Sequence, residues 1–369
     1  MTETLSFPGL GWEFHLSRAA FTIPIGENGI TVYWYGILIA LAFLSAVFYA
    51  FRRCATFGIN ADRAIDVVLV SAIGGILGAR IYYVLFTWDY YKDNLGEIFK
   101  IWHGGIAIYG GVIGALLVGA LMCKIRKVRF LPMADMAVGG ILLGQAIGRW
   151  GNFVNIEAFG SNTTLPWGMT SPSIVSYLSG MKEELSKIGV EIDPSMPVHP
   201  TFFYESLWCL IGFGLAAYFA GRRRFDGELL LFYAAWYGTG RAVIEGLRTD
   251  SLMLGTIRVS QLLAILCVIA SALIWIAVRS KIKSSNDPEY LKVFAKTGEA
   301  AAVVSGEYYK RLEEEKKKQP EKVAQPIKPE TAANPVQETV QAVKEAGPAE
   351  MDRVQLRRRQ RRKAVQRMR

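Results

Sequence analysis

Seven stretches of about 20 residues run almost without charge, and this feature decides most of what the chain can fold into. They lie at about 31–51, 65–86, 104–123, 134–155, 202–220, 229–247 and 259–279. A bilayer core is about 30 Å thick and takes about 20 helical residues to cross. Inside it only helices or closed barrels satisfy every backbone group. The expected fold is therefore all-α, a polytopic membrane protein with seven transmembrane helices. The runs at 134–155 and 229–247 carry polar residues at their ends, which blurs their limits. With 51% hydrophobic and 20% charged residues among 369, the mixture is too apolar for an ordinary soluble domain.

Orientation follows from Lys and Arg in short loops, since basic residues are retained on the cytoplasmic side. Arg52, Arg53 and Arg63 follow the first run, Lys124, Arg126, Lys127 and Arg129 the third, and Arg222, Arg223 and Arg224 the fifth. The alternate connections hold Lys92 and Lys100, then Lys182 and Lys187 within a loop of about 45 residues, and finally Arg248 and Arg258. An outside N-terminus and a cytoplasmic C-terminus are expected. Residues 1–30 hold one basic residue, Arg18, and no apolar core followed by a cleavage site, so a cleaved signal peptide is not expected. The chain then divides into an extracytoplasmic segment 1–30, a seven-span domain 31–280 and a tail 281–369.

Of the formal net charge of +10, most sits in that tail, where 21 Lys and Arg face 13 Asp and Glu. The tail is rich in Lys, Glu, Ala, Pro and Gln and ends QLRRRQRRKAVQRMR. Such a composition cannot bury enough apolar surface to order itself, and a disordered cytoplasmic tail resting on anionic lipid headgroups is expected, at about 1 kcal/mol per arginine. No nucleic-acid-binding motif accompanies the arginines, and no nucleic-acid partner is expected. Cys54, Cys123, Cys209 and Cys267 are scattered singly and the three histidines form no metal-binding pair, so neither disulfide, metal nor cofactor is expected.

The polar residues inside the runs are the informative ones, because an ionisable side chain in a span costs about 2.5–3.5 kcal/mol unless it faces a bundle interior or a wet cavity. Arg149, Asn152, Asn155 and Glu157 stand at the outer end of the fourth run, within GRWGNFVNIEAFG. Arg241, Glu245 and Arg248, at i, i+4 and i+7, share one face near the outer end of the sixth. His199 to Glu205 in HPTFFYES lead into the fifth, His103 and Tyr109 in HGGIAIYGG into the third, and Arg80 lies late in the second. Each has a structural explanation alone, such as pairing, snorkelling or interfacial anchoring. Their common depth suggests a site. Guanidinium groups with amides beside them suit a phosphate, which they bind in forked pairs while keeping their charge. That points to a phospholipid head. A transporter or flippase would also gather polar residues at one depth, but near the midplane and between internal repeats; an envelope scaffold leaves the arginines unexplained. No GxSxG elbow is present, and YLSGM falls in the long loop, against a serine nucleophile.

GRWGNFVNIEAFG resembles the signature of the bacterial prolipoprotein diacylglyceryl transferases. VYWYGILIA, GARIYYVLF, WHGGIAIYGGVIGA, HPTFFYES and RAVIEGLRTD, in that order, resemble further stretches of the family, over about residues 25–280. The resemblance implies a seven-span enzyme of the bacterial cytoplasmic membrane whose site faces outward. Its substrates would be phosphatidylglycerol and the lipobox cysteine of a prolipoprotein signal peptide; a thioether forms and glycerol phosphate leaves. By motif position, Arg149 would bind the phosphate, with Asn152, Asn155, Glu157 and Gly160 shaping the pocket. Arg241 would stabilise the departing phosphate beside Glu245 and Arg248, and Tyr35 would match a tyrosine of the first span. Where some members carry a histidine in the Gly-rich stretch, this chain has Tyr109. A free thiol titrates near pH 8.5 and a phenol near 10, so the proton acceptor stays open between His103, Tyr109 and a thiol acidified by the arginines.

Overall fold

The computed structural model describes residues 2–24, 29–187, 191–249, 253–254, 257–287 and 289–318. Each of the seven apolar runs forms a helix: α1 (Trp34–Arg53), α2 (Ala61–Phe86), α4 (Ile108–Arg126), α5 (Phe130–Asn155), α7 (Thr201–Phe219), α8 (Glu228–Glu245) and α9 (Val259–Ser284). All but α8 are long and apolar enough to cross a membrane. Their outer faces are apolar, with Leu44 of α1, Leu85 of α2 and Leu117 of α4 each more than 60% exposed. Such faces need hydrocarbon around them, and the molecule is a polytopic membrane protein.

Glycine sets how closely these helices approach. A Cβ on Gly78 of α2 would stand 2.5 Å from the Gly110 carbonyl of α4, and one on Gly114 would stand 2.4 Å from that of Gly74. The two backbones are in contact, as small-residue packing in membranes allows. Between α7 and α8 the lock is aromatic. Trp208 and Trp236 stack at 4.2 Å, and each indole donates to the other's carbonyl, at 2.9 and 3.0 Å. The rings lie over Gly240 and Gly212, where any Cβ would collide with them.

The fold is mostly helical, and the all-α expectation is corrected at the N-terminus. β1 (Thr2–Phe7) pairs with β2 (Trp12–Ser17), and β3 (Ala19–Ile23) with β4 (Ile30–Tyr33), both antiparallel. In TETLSF alternate residues point inward, and Leu5 and Phe7 are buried, the period-two pattern of a half-buried strand. A third pair, β5 (Met253–Leu254) with β6 (Ile257–Arg258), precedes α9. The long loop is not featureless. It carries α6 (Pro172–Lys187), whose Ile174 and Leu178 are fully buried with Leu5, Met169 and Val198. YLSGM therefore lies on a helix. The Lys92–Lys100 connection begins with the single turn α3 (Trp88–Tyr91).

The expected tail also needs correction, because order continues beyond residue 281. After a turn at Phe294–Lys296 come α10 (Gly298–Ser305) and α11 (Glu307–Lys318). The first part of this segment closes the end of the bundle that carries Arg52, Arg129 and Arg223. The Phe294 amide donates to Asp226 at 2.9 Å, Arg129 pairs with Glu299 at 3.0 Å, and the Arg129 and Arg63 guanidiniums cover the rings of Phe294 and Tyr309. Phe294, Ala300, Val303 and Tyr309 form their own small core. Beneath them Asp135 of α5, fully buried, accepts from the amides of Gly227 and Leu230 at the start of α8. The molecule divides into two compact units, residues 1–310 and 311–369; the terminal arginines lie outside the described residues.

Candidate active site

At the opposite end of α5, α7 and α8, three arginines converge on one carboxylate. Glu205, on the first turn of α7, is 5% exposed; its oxygens stand 2.5 Å from Arg149, 3.4 Å from Arg241 and 3.4 Å from Arg248. Arg241 also pairs with Glu245 one turn along α8. Three guanidiniums thus face two buried carboxylates, which leaves one positive charge in excess among these five side chains. The carboxylates fix the forks but do not neutralise them. An anion arriving here meets donors already oriented, and the low dielectric strengthens their attraction.

The wall of the site comes from helical periodicity in α5. Gln145, Gly148, Arg149 and Asn152 share the face turned to a cavity of about 800 Å³, closed by Tyr35, Tyr109, Tyr237, Arg241 and Arg248 from other elements. Trp150 and Phe153 turn away and pack on Phe202, at 5.7 and 5.0 Å. Gly151 lets α1 approach, since a Cβ there would sit 2.7 Å from the Tyr35 ring. Gln145 donates to Tyr233 at 3.0 Å, and Tyr233 stacks on Tyr237, giving the cavity a hydrogen-bonded aromatic floor.

Past α5 the backbone makes an unusual turn. Ile156 and Ala158 both have positive φ, 52° and 56°, which is costly for residues with a Cβ and more so for a β-branched one. Ile156 is 7% exposed within the core beneath α6, and its burial offsets the strain. The turn brings Glu157 back over the helix end, where it accepts from Asn152 at 2.9 Å and from Asn155 at 3.4 Å. Asn152 in turn accepts from Arg149 at 3.5 Å. Gly160 then pairs with Arg248 in an isolated bridge, and the Ser161 amide donates to Leu247 at 2.6 Å. A Cβ on Gly160 would lie within 3.0 Å of both His199 and Leu247. This glycine is needed for close approach.

Not every expected residue is here. His103 is more than half exposed, pairs with Glu97 at 2.9 Å and is absent from the cavity wall, whereas Tyr109 forms part of it. Arg80, placed by depth with the other arginines, instead donates to the carbonyls of Glu97, Ile98, Gly104 and Gly105 at 2.5–2.9 Å. It pins the 95–105 connection over α2. His199 faces the Tyr204 hydroxyl at 3.2 Å, and that hydroxyl accepts from Trp167 at 2.7 Å. Burial lowers the His199 pKa. Glu205, noted in sequence only as the end of HPTFFYES, is the hub of the cluster. Its signal was available, being a carboxylate one turn into an apolar span. Gln145, Tyr233 and Tyr237 carry no such signal, because tyrosine and glutamine in a span read equally well as packing.

The family model for prolipoprotein diacylglyceryl transferase matches residues 21–277. The chain is 41% identical over 273 residues to the phosphatidylglycerol–prolipoprotein diacylglyceryl transferase of Finegoldia magna, covering 74% of this chain and all of that protein. It is 42% identical over 275 residues to the Staphylococcus aureus protein of the same name, covering 74% of this chain and 94% of that one. With the Listeria welshimeri protein it shares 40% over 270 residues, 73% and 93% of the two chains.

Proposed function

The chain belongs to the prolipoprotein diacylglyceryl transferase family, and on that footing we propose that the cavity beside Glu205 is where its two substrates meet. The enzyme transfers the diacylglyceryl group of phosphatidylglycerol to the cysteine of a prolipoprotein. In bond terms the cysteine sulfur attacks the glycerol carbon of the lipid, a C–S bond forms, and the C–O bond to phosphate breaks. Glycerol phosphate departs with that electron pair, and the thiol proton leaves the sulfur. With a thiolate nucleophile, the phosphate changes from a singly charged diester to a doubly charged monoester, so negative charge accumulates on its oxygens.

Arg149 and Arg241 are assigned to those oxygens. Donors aimed at charge that grows during the reaction lower its barrier more than they tighten substrate binding. Asn152, Asn155 and Glu157 orient Arg149; Glu205 and Glu245 orient Arg241 and Arg248; Gly160 holds the chain that carries Arg248; Tyr35 and Tyr109 flank the lipid. The arginines also acidify a thiol brought beside them, which reduces the need for a strong base. The convergence of Arg149, Arg241 and Arg248 on Glu205 is the observation that carries this reading. A flippase asks for a midplane site, and these arginines lie at helix ends.

The finer topology belongs to the same proposal. α8 has 18 residues, about 27 Å of helix, and its charges at Arg241 and Glu245 face the arginine cluster, so it is assigned as the seventh span. Arg52, Arg129 and Arg222 then mark the cytoplasmic side, and the site faces outward from the bacterial cytoplasmic membrane. Residues 1–30 lie outside, 31–280 form the transferase domain, and the basic end of the tail rests on anionic headgroups.

The test uses the full-length protein in vesicles containing phosphatidylglycerol, with a lipobox peptide as acceptor. Thioether formation, read by mass spectrometry, is expected to fall by about 10²–10³ in Arg149→Gln and in Arg241→Gln. Either variant turning over like the parent protein, with insertion verified, refutes the phosphate assignment. Cys267 gives a second readout, being exposed on the cavity wall while Cys54, Cys123 and Cys209 are buried. Its labelling by a maleimide should be suppressed by phosphatidylglycerol.

A further inference from the structure

At the end of the bundle opposite the Arg149 cluster, a second cavity of about 500 Å³ opens between α8 and α9. Small-molecule sites span about 300–1,000 Å³. This one has two kinds of lining. Phe232, Ala235 and Trp275 are apolar, while Arg222, Arg224 and Arg279 bring positive charge.

Not all of that charge is free. Glu228 accepts from the Trp275 indole at 3.0 Å and pairs with Arg279 at 3.2 Å, so one arginine is largely cancelled and α9 is tied to α8. Arg223 also borders the cavity but is committed elsewhere, to Asp226 at 3.4 Å and to the carbonyls of Thr56 and Ala220. Arg222 bonds the Tyr218 carbonyl at 2.8 Å and covers that residue's ring, which leaves its charge without a carboxylate. For Arg224 the bond to Glu228 is made by its backbone amide, and among the described residues its guanidinium has no ion pair. Two uncancelled cations thus stand beside an apolar wall. That wall continues onto the outer face of α9, where Leu273 and Ile276 are 63% and 59% exposed.

A free inorganic anion gains nothing from Phe232 and Trp275, and an uncharged lipid gains nothing from the arginines. An anionic amphiphile uses both. We propose that this cavity binds the head of an anionic phospholipid from the adjoining leaflet, its phosphate on Arg222 and Arg224 and its first acyl carbons against Phe232, Ala235 and Trp275. The site is separate from the Glu205 cavity and independent of its chemistry; only the naming of the leaflet as the inner one rests on the orientation proposed above. Such a lipid would brace the α7–α8 connection, whose other face supports the Asp135 and Asp226 contacts.

The probe is phosphatidic acid carrying a diazirine early in one acyl chain, added to the full-length protein after delipidation in detergent and irradiated. Adducts are expected on the α8 and α9 peptides containing Phe232 and Trp275, and unlabelled phosphatidic acid should suppress them. Each headgroup-level arginine contributes about fivefold to lipid partition, so Arg222→Gln with Arg224→Gln should lower the yield about twentyfold. Adducts in the Arg149 cavity should be unchanged in that variant, which separates a failure here from a failure of the proposed active site. Undiminished yield in the double variant, or equal yield from a phosphatidylcholine probe, overturns the proposal. Suppression by inorganic phosphate as effective as by phosphatidic acid also overturns it, by showing a site for the free anion.

Discussion

Glu205 shows how much one side chain can organise. Removing one partner from a buried ion pair leaves the other uncompensated, at a cost of about 3–5 kcal/mol, and here three arginines would be released together. Glu205→Gln keeps the volume and the acceptor oxygen, so the expected result is an inserted, folded protein whose turnover falls by about 10². A loss confined to KM would mean that the arginines bind the ground state only. Gly151→Ala forces a methyl into the Tyr35 ring; overpacking of this kind costs about 1–3 kcal/mol, and a lowered melting temperature with residual activity is expected. His199 supplies a pH dependence. Burial depresses its folded-state pKa below the unfolded value, about 6.5, so the folded state resists protonation. Stability from this residue is complete above that value and is lost as pH falls from about 6.5 toward the depressed folded pKa. Melting curves between pH 7 and 5 should show the loss, and His199→Gln should flatten it.

Among the elements, two arrangements make distinct predictions. The Trp208–Trp236 lock fixes α8 against α7, and with it Arg241 against Glu205. Gly240→Ala would drive its methyl into the Trp208 indole and displace α8. A displacement of about 1 Å at a reacting centre can cost about 10² in rate, so turnover should fall in this variant while membrane insertion persists. The docked segment 289–310 is the reverse case. It clamps the connections at 54–60, 126–129 and 223–227, far from Glu205, so deleting residues 286–369 should lower the melting temperature and leave thioether formation largely intact. Loss of activity from a stably inserted deletion would place this segment in the catalytic cycle. Its order also shows why the tail was misjudged. Mean composition over 89 residues describes the terminal arginines and the Lys- and Glu-rich middle, and it masks four apolar side chains, Phe294, Ala300, Val303 and Tyr309, that find a surface to pack on.

For the molecule as a whole, the orientation proposed here predicts opposite labelling at the two ends. With Cys267 replaced by serine, a cysteine at Asn94 should react with an impermeant maleimide in intact cells, and one at Lys310 only after permeabilisation; the reverse pattern would invert the topology. The seven helical runs were legible without coordinates because hydrocarbon forces every backbone amide into a helix, and about 20 apolar residues are hard to explain otherwise. The arginines and amides of the site were legible too, because charge in such runs is expensive and asks for a reason. What depth could not supply was direction around each helix. Arg80 lies at the right depth yet turns to loop carbonyls, while Glu205 turns inward and gathers three guanidiniums. The N-terminal hairpins and α6 escaped because their apolar faces are short and half-buried, and their burial depends on partners more than 150 residues away, as in the pairing of Ser6 with Thr170. The sequence by itself determined that this chain lives in a membrane and where along its helices the costly charges sit. Only the tertiary structure decided which of those charges meet, because an ion pair forms through the rotation and close approach of separate helices, and these are set by packing at glycines and tryptophans.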